Sequence, residues 1–122
     1  MAFSEIRPLR VLFVCRYNRR RSATAERVFS KDPRLDVRSA GTSDDALVQV
    51  NAHMLAWADL LFVMDDGQER ALRARFADDP ALERLVNLEI PDDFPFLDPE
   101  LVRLLQNRAN PHIDKARSAL LP

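Results

Sequence analysis

The chain has 122 residues, 47% of them hydrophobic and 30% charged, with a net charge of −1. That length supports one domain, here taken as residues 1–122, and the charge excludes a global field that would drive it onto nucleic acid or a membrane. One cysteine excludes an intrachain disulfide and suits a reducing cytoplasm. The first eight residues carry no apolar signal-like core, and no later run approaches spanning length, so a cytoplasmic protein is expected.

In chain order, Leu9 to Val14 is a short β-branched and aromatic run, the pattern of a buried parallel strand. It ends at Cys15, and Ser22 to Phe29 then reads as a helix with Ala25, Val28 and Phe29 on one face. The loop between them carries four arginines, Arg16, Arg19, Arg20 and Arg21. A strand–loop–helix of this kind aims backbone N–H groups at the helix N-terminus, where an oxyanion is stabilised. With a thiol beneath it, the loop points to a phosphate-binding site holding a nucleophile.

Leu35 to Ser39 is a second strand closed by Ala40-Gly41-Thr42, and Leu47 to Trp57 reads as a helix. Leu60 to Met64 is a third strand, as apolar as the first, and Gly67 to Phe76 is helical. Asp65-Asp66 reads as the cap of that helix rather than a metal site. Leu85 to Ile90 is a fourth strand. Asp98-Pro99-Glu100 supplies an N-cap, a proline and an early acid for a helix bearing Leu101, Leu104 and Leu105. Asn110-Pro111 marks the start of a separate last helix. The alternation predicts an α/β fold: a single three-layer domain with a four-stranded parallel sheet and helices on both faces. Ligands then belong outside the C-terminal strand ends, at Cys15, Met64 and the Pro91–Leu97 loop. His53 and His112 lack metal-ligand spacing, Trp57 reads as packing at a helix end, and no metal or cofactor is expected.

Cys15-x5-Arg21-Ser22 after an apolar strand, followed by Ala25-Glu26-x-Val28-Phe29, resembles the low-molecular-weight protein tyrosine phosphatases. The likeness continues in Ser39-Ala40-Gly41-Thr42, in Trp57 through Asp65, and in Ile90-Pro91-Asp92-Asp93-Phe94. The resemblance implies a metal-independent phosphomonoesterase acting on phosphorylated protein or a small aryl phosphate, with inorganic phosphate as product. It implies Cys15 as nucleophile, Arg21 as a planar clamp on the phosphoryl oxygens, and Ser22 hydrogen-bonded to the thiolate. Backbone N–H groups from Arg16, Tyr17, Asn18, Arg19, Arg20 and Arg21 would form the nest, with Asn18 shaping it and Ser39 supporting Asn18.

A general acid must protonate the leaving oxygen. Asp92 has the preceding strand and following aromatic of the family's acid turn, though Asp93 stands where a proline is expected. Asp98 keeps the Asp-Pro dipeptide but opens a helix, a position that calls for a cap in any case. Asp92 is favoured, with Asp98 and Asp93 as alternatives. Tyr17 replaces the family's loop glycine, Arg20 stands where many relatives carry a second cysteine, and the segment from Thr42 to Trp57 is short. Two other functions fit the same residues. One is a non-catalytic module binding phosphoprotein or RNA through the arginine-rich loop, although neither a membrane nor a nucleic acid is the expected partner. The other is an arsenate reductase drawing on external thiol.

Overall fold

The computed structural model describes residues 7–120. Its elements are β1 (Leu9–Cys15), α1 (Arg21–Phe29), β2 (Leu35–Gly41), α2 (Ala52–Trp57) and β3 (Leu60–Val63). They continue with α3 (Asp66–Arg75), a 3₁₀ turn (Pro80–Arg84), β4 (Leu85–Asn87) and α4 (Pro99–Ser118). The strands form the expected four-stranded sheet, in the order β2-β1-β3-β4, and every pairing is parallel.

β1 and β3 are the central strands, so both faces of each must be apolar. Period-two alternation sends Val11, Phe13 and Cys15 to one face and Leu12 and Val14 to the other. On the first face Phe13 stacks between Phe29 and Phe62, with ring centroids 5.2 and 5.1 Å away, and α1 and α4 close that layer. On the second, Leu55, Leu72 and Leu82 bring α2, α3 and the 3₁₀ turn against Leu61 and Val63. At the edge, β2 exposes Asp36 and Arg38, and the Arg38 guanidinium lies 4.3 Å from the Trp57 ring centre at the end of α2. Because all strands run the same way, the loops after Cys15, Val63 and Asn87 emerge on one edge of the sheet.

Three local expectations are corrected. The helix expected over Leu47 to Trp57 is only Ala52–Trp57, capped by the Asn51 side chain. Before it the chain runs extended beside Gly41, whose N–H donates to Val48 O while Val50 N–H donates to Gly41 O. β4 stops at Asn87, because the Asn87 side chain accepts from Glu89 N and Glu89 turns to φ 54. Even so, Leu88 and Ile90 donate to Val63 O and Met64 O, which keeps the segment alongside β3. The break expected at Asn110-Pro111 is absent, and α4 passes straight through. Leu101, Leu105, Ala109 and Ile113 form one buried stripe across that point, and Pro111 sits on the exposed side. Continued burial of the stripe outweighs the lost hydrogen bond. Among the described residues, no helix is long and apolar enough to cross a membrane.

Candidate active site

The loop between β1 and α1 is shaped by its neighbours. Asn18 adopts φ 59, a left-handed conformation that asparagine tolerates better than most residues. The segment after β2 clamps the loop from outside: Thr42 N donates to Cys15 O, Ser43 N to Arg16 O and Leu47 N to Tyr17 O, at 2.9–3.1 Å. Gly41 is needed for this approach. A Cβ there would lie 2.6 Å from Arg16 O and 3.0 Å from Asn18 N, both main-chain atoms that cannot move aside cheaply.

Inside the loop a buried polar network surrounds the thiol. Cys15 is 3% exposed. Its Sγ accepts from Asn18 N at 3.2 Å and lies 2.9 Å from Ser22 Oγ. Asn18 Nδ2 donates to both Ser22 Oγ and Ser39 Oγ, 2.9 Å each, and the Ser39 hydroxyl donates in turn to the Glu26 carboxylate. In sequence Glu26 is only a match to the family pattern; its place in this network arises from the fold, where α1 faces β2.

Arg21 opens α1 and is 3% exposed. Its Nη1 donates to Asp65 Oδ2 and to Ile90 O, both at 2.8 Å. Its Nε, also buried, has no hydrogen-bond partner among the described residues. Asp92 Oδ1 is 3.6 Å from that Nε and 3.8 Å from Arg20 Nε, close enough for ion pairing but too long for hydrogen bonds. Asp65 is thus more than the helix cap read from sequence. Its side chain accepts from Gly67 N and, with Gln68, completes the capping box of α3, while its other oxygen holds Arg21. Burial pushes its carboxyl pKa up, but the hydrogen bonds from Arg21 and Gly67 outweigh this and leave it lowered. A signal for Asp65 was present: it directly follows the strand end at Met64, on the edge where the loops converge.

A small cavity of about 40 Å³ is lined by Cys15, by Arg16, Tyr17 and Arg19 to Arg21, and by Asp92. Asp93 is exposed and does not line it. Asp98 is occupied as the N-cap of α4, its side chain accepting from Glu100 N at 2.8 Å. Of the three acids considered, the fold brings only Asp92 to the thiol and Arg21. Tyr17 is half-buried at the rim, with the Arg16 guanidinium 4.9 Å from its ring centre. His53 is exposed, and His112 lies edge-on to Phe62 with ring centroids 6.1 Å apart, both away from the cavity.

No protein-family model matches the sequence, and no curated protein does either. Solved structures do. The YwlE arginine phosphatase from Geobacillus stearothermophilus matches at 22% identity and TM-score 0.63, over 93% of this chain and 93% of that one. The tyrosine phosphatase Wzb from Escherichia coli K30, in complex with phosphate, matches at 18% identity and TM-score 0.68, over 87% of this chain and 96% of that one. A low-molecular-weight phosphotyrosine phosphatase from Vibrio cholerae O395 matches at 23% identity and TM-score 0.61, over 88% of this chain and 95% of that one. At these identities the likeness is one of fold: the chain has the fold of low-molecular-weight phosphatases.

Proposed function

We propose that this chain is a phosphomonoesterase that hydrolyses phosphotyrosine or another aryl phosphate through a cysteinyl-phosphate intermediate, without a metal ion. The observation that carries the reading is the buried Arg21 Nε, a charged donor with no hydrogen-bond partner among the described residues, on a side chain that lines the same cavity as Cys15. An unpaired buried donor costs about 1–3 kcal/mol, and a phosphoryl oxygen placed over the sulfur would accept from it.

In this reaction the Cys15 thiolate attacks phosphorus and forms an S–P bond while the bond to the leaving oxygen breaks. Asp92, protonated, gives its proton to that oxygen. Water then attacks the phosphocysteine, Asp92 takes a proton from it, and the S–P bond breaks to release inorganic phosphate and the thiolate. The hydrogen bond from Asn18 N and the nearby Ser22 hydroxyl hold the sulfur in place at the base of the loop. The amides of Tyr17, Arg19 and Arg20 have no main-chain acceptor among the described residues, which leaves them for the equatorial oxygens. Residues 1–122 act as one catalytic domain in the cytoplasm, where a lone thiol stays reduced.

Acid quenching during turnover of p-nitrophenyl phosphate, followed by peptide mass mapping, tests the intermediate. A phosphoryl group on the peptide containing Cys15 is expected. Turnover without any labelled peptide, and undiminished in Cys15→Ser, would refute the reading.

A further inference from the structure

Four arginines, Arg16, Arg19, Arg20 and Arg21, line the cavity beside a single carboxylate, Asp92. Two of them are accounted for within the protein. Arg21 is paired with Asp65 and lies near Asp92, and Arg20 also lies near Asp92. Arg16 and Arg19 are exposed, and among the described residues neither has a carboxylate within 4.0 Å. They do not belong to a generally basic surface, since the chain as a whole carries a net charge of −1. Nor does the transferred phosphoryl group need them: Arg21, the loop amides and the N-terminus of α1 already answer its charge. Four like charges around so small a cavity repel one another, a cost that an anionic ligand relieves.

We propose, building on the phosphatase reading above, that the substrate carries a second anionic group beside the phosphoryl group that is transferred, and that Arg16 and Arg19 bind it. Arg16 is placed in advance. Its carbonyl is fixed by Ser43 N at 2.9 Å, and its guanidinium rests 4.9 Å from the centre of the Tyr17 ring. The rim is also polarised. On the side of Asp65, which holds Arg21, a second cavity is lined by Asp65, Asp66, Glu89, Ile90 and Pro91, with Arg70 as its only cation among the described residues. A second anion is therefore repelled from the α3 side and drawn to the Arg16–Arg19 side. The chemistry fits a phosphotyrosine peptide with neighbouring acidic residues or a small molecule with two phosphate groups.

The test measures binding by calorimetry at low salt, to the unmutated protein and to Cys15→Ser. One arm compares pyrophosphate with inorganic phosphate. The other compares a phosphotyrosine peptide flanked by glutamates with its glutamine counterpart. The more anionic member of at least one pair should bind about tenfold tighter, the scale of two exposed charge pairs. The arm that shows the preference identifies the source. The preference should shrink towards unity in 0.5 M salt, where the Debye length falls to about 4 Å, and in the double variant Arg16→Gln/Arg19→Gln. Arg16→Lys/Arg19→Lys should retain most of it, which separates charge from folding. Equal affinities within both pairs would overturn the proposal, as would a preference unchanged by salt or by removal of both charges. Hydrolysis is read separately: absence of Cys15-dependent turnover defeats the phosphatase reading, while the affinity ratios still decide the role of Arg16 and Arg19.

Discussion

Asn18 donates from Nδ2 to Ser39 Oγ at 2.9 Å, tying the loop after β1 to the strand that follows α1. The same amide reaches Ser22, and Asn18's own N–H reaches the sulfur of Cys15. One side chain thereby fixes the loop's backbone, its helix start and its thiol. Asn18→Ala removes two buried hydrogen bonds and places alanine at φ 59. A loss of roughly 2 kcal/mol or more is expected, read from the urea midpoint, together with a large fall in turnover. Asn18→Gly should recover the backbone part of the stability without the activity. Equal stability for the alanine variant and the unmutated protein would show that the network is idle.

Gly41→Ala tests the clamp from the other side. The new Cβ meets main-chain atoms of Arg16 and Asn18, so the loop must shift. Overpacking of this kind costs about 1–3 kcal/mol, and kcat/KM for p-nitrophenyl phosphate should fall with it. Unchanged kinetics would mean that the loop position is not set by β2.

The acids separate by the property they affect. Asp92→Asn should lower kcat by about a hundredfold or more on substrates with poor leaving groups, and by less on p-nitrophenyl phosphate. Asp98→Ala should instead cost about 0.5–2 kcal/mol of stability through loss of the α4 cap, with kcat little changed. The reverse pattern would make Asp98 the acid.

Acid sensitivity follows from three carboxylates. Asp32, held by the Arg34 hydrogen bond, is lowered to about 2. The Arg7 hydrogen bond lowers Asp59, and Asp65 is lowered as described. Each binds its proton less readily when folded than the ordinary value of about 3.9. The stability they contribute is therefore present above that value and is lost as pH falls towards 2. Denaturation midpoints should drop across this window, and Asp65→Asn, which keeps a good N-cap, should flatten part of the drop. A midpoint that stays level or rises from pH 4 to pH 2 would contradict this.

Much of this architecture is legible in the sequence, because β1 and β3 are short apolar runs and the thiol, Arg21 and Ser22 lie within one loop and the first turn of α1. What local pattern does not carry is tertiary. The segment from Leu47 to Asn51 looks helical until its pairing with Gly41 is known, and Pro111 looks like a break until the buried stripe running past it is seen. Asp65 lies far from Cys15 in the chain and has an ordinary local explanation as a helix cap, while Glu26 shows in sequence only as a match to the family pattern. Their contacts with Arg21 and Ser39 exist only once β3 and β2 flank β1.

The proposed phosphomonoesterase activity depends on Cys15 as its nucleophile. Hydrolysis of p-nitrophenyl phosphate in EDTA at mildly acidic pH, by the unmutated protein and by Cys15→Ser, tests it most directly. Vanadate-sensitive turnover that disappears in the variant while phosphate still binds is expected. Turnover that survives in Cys15→Ser, or none in the unmutated protein, would contradict it.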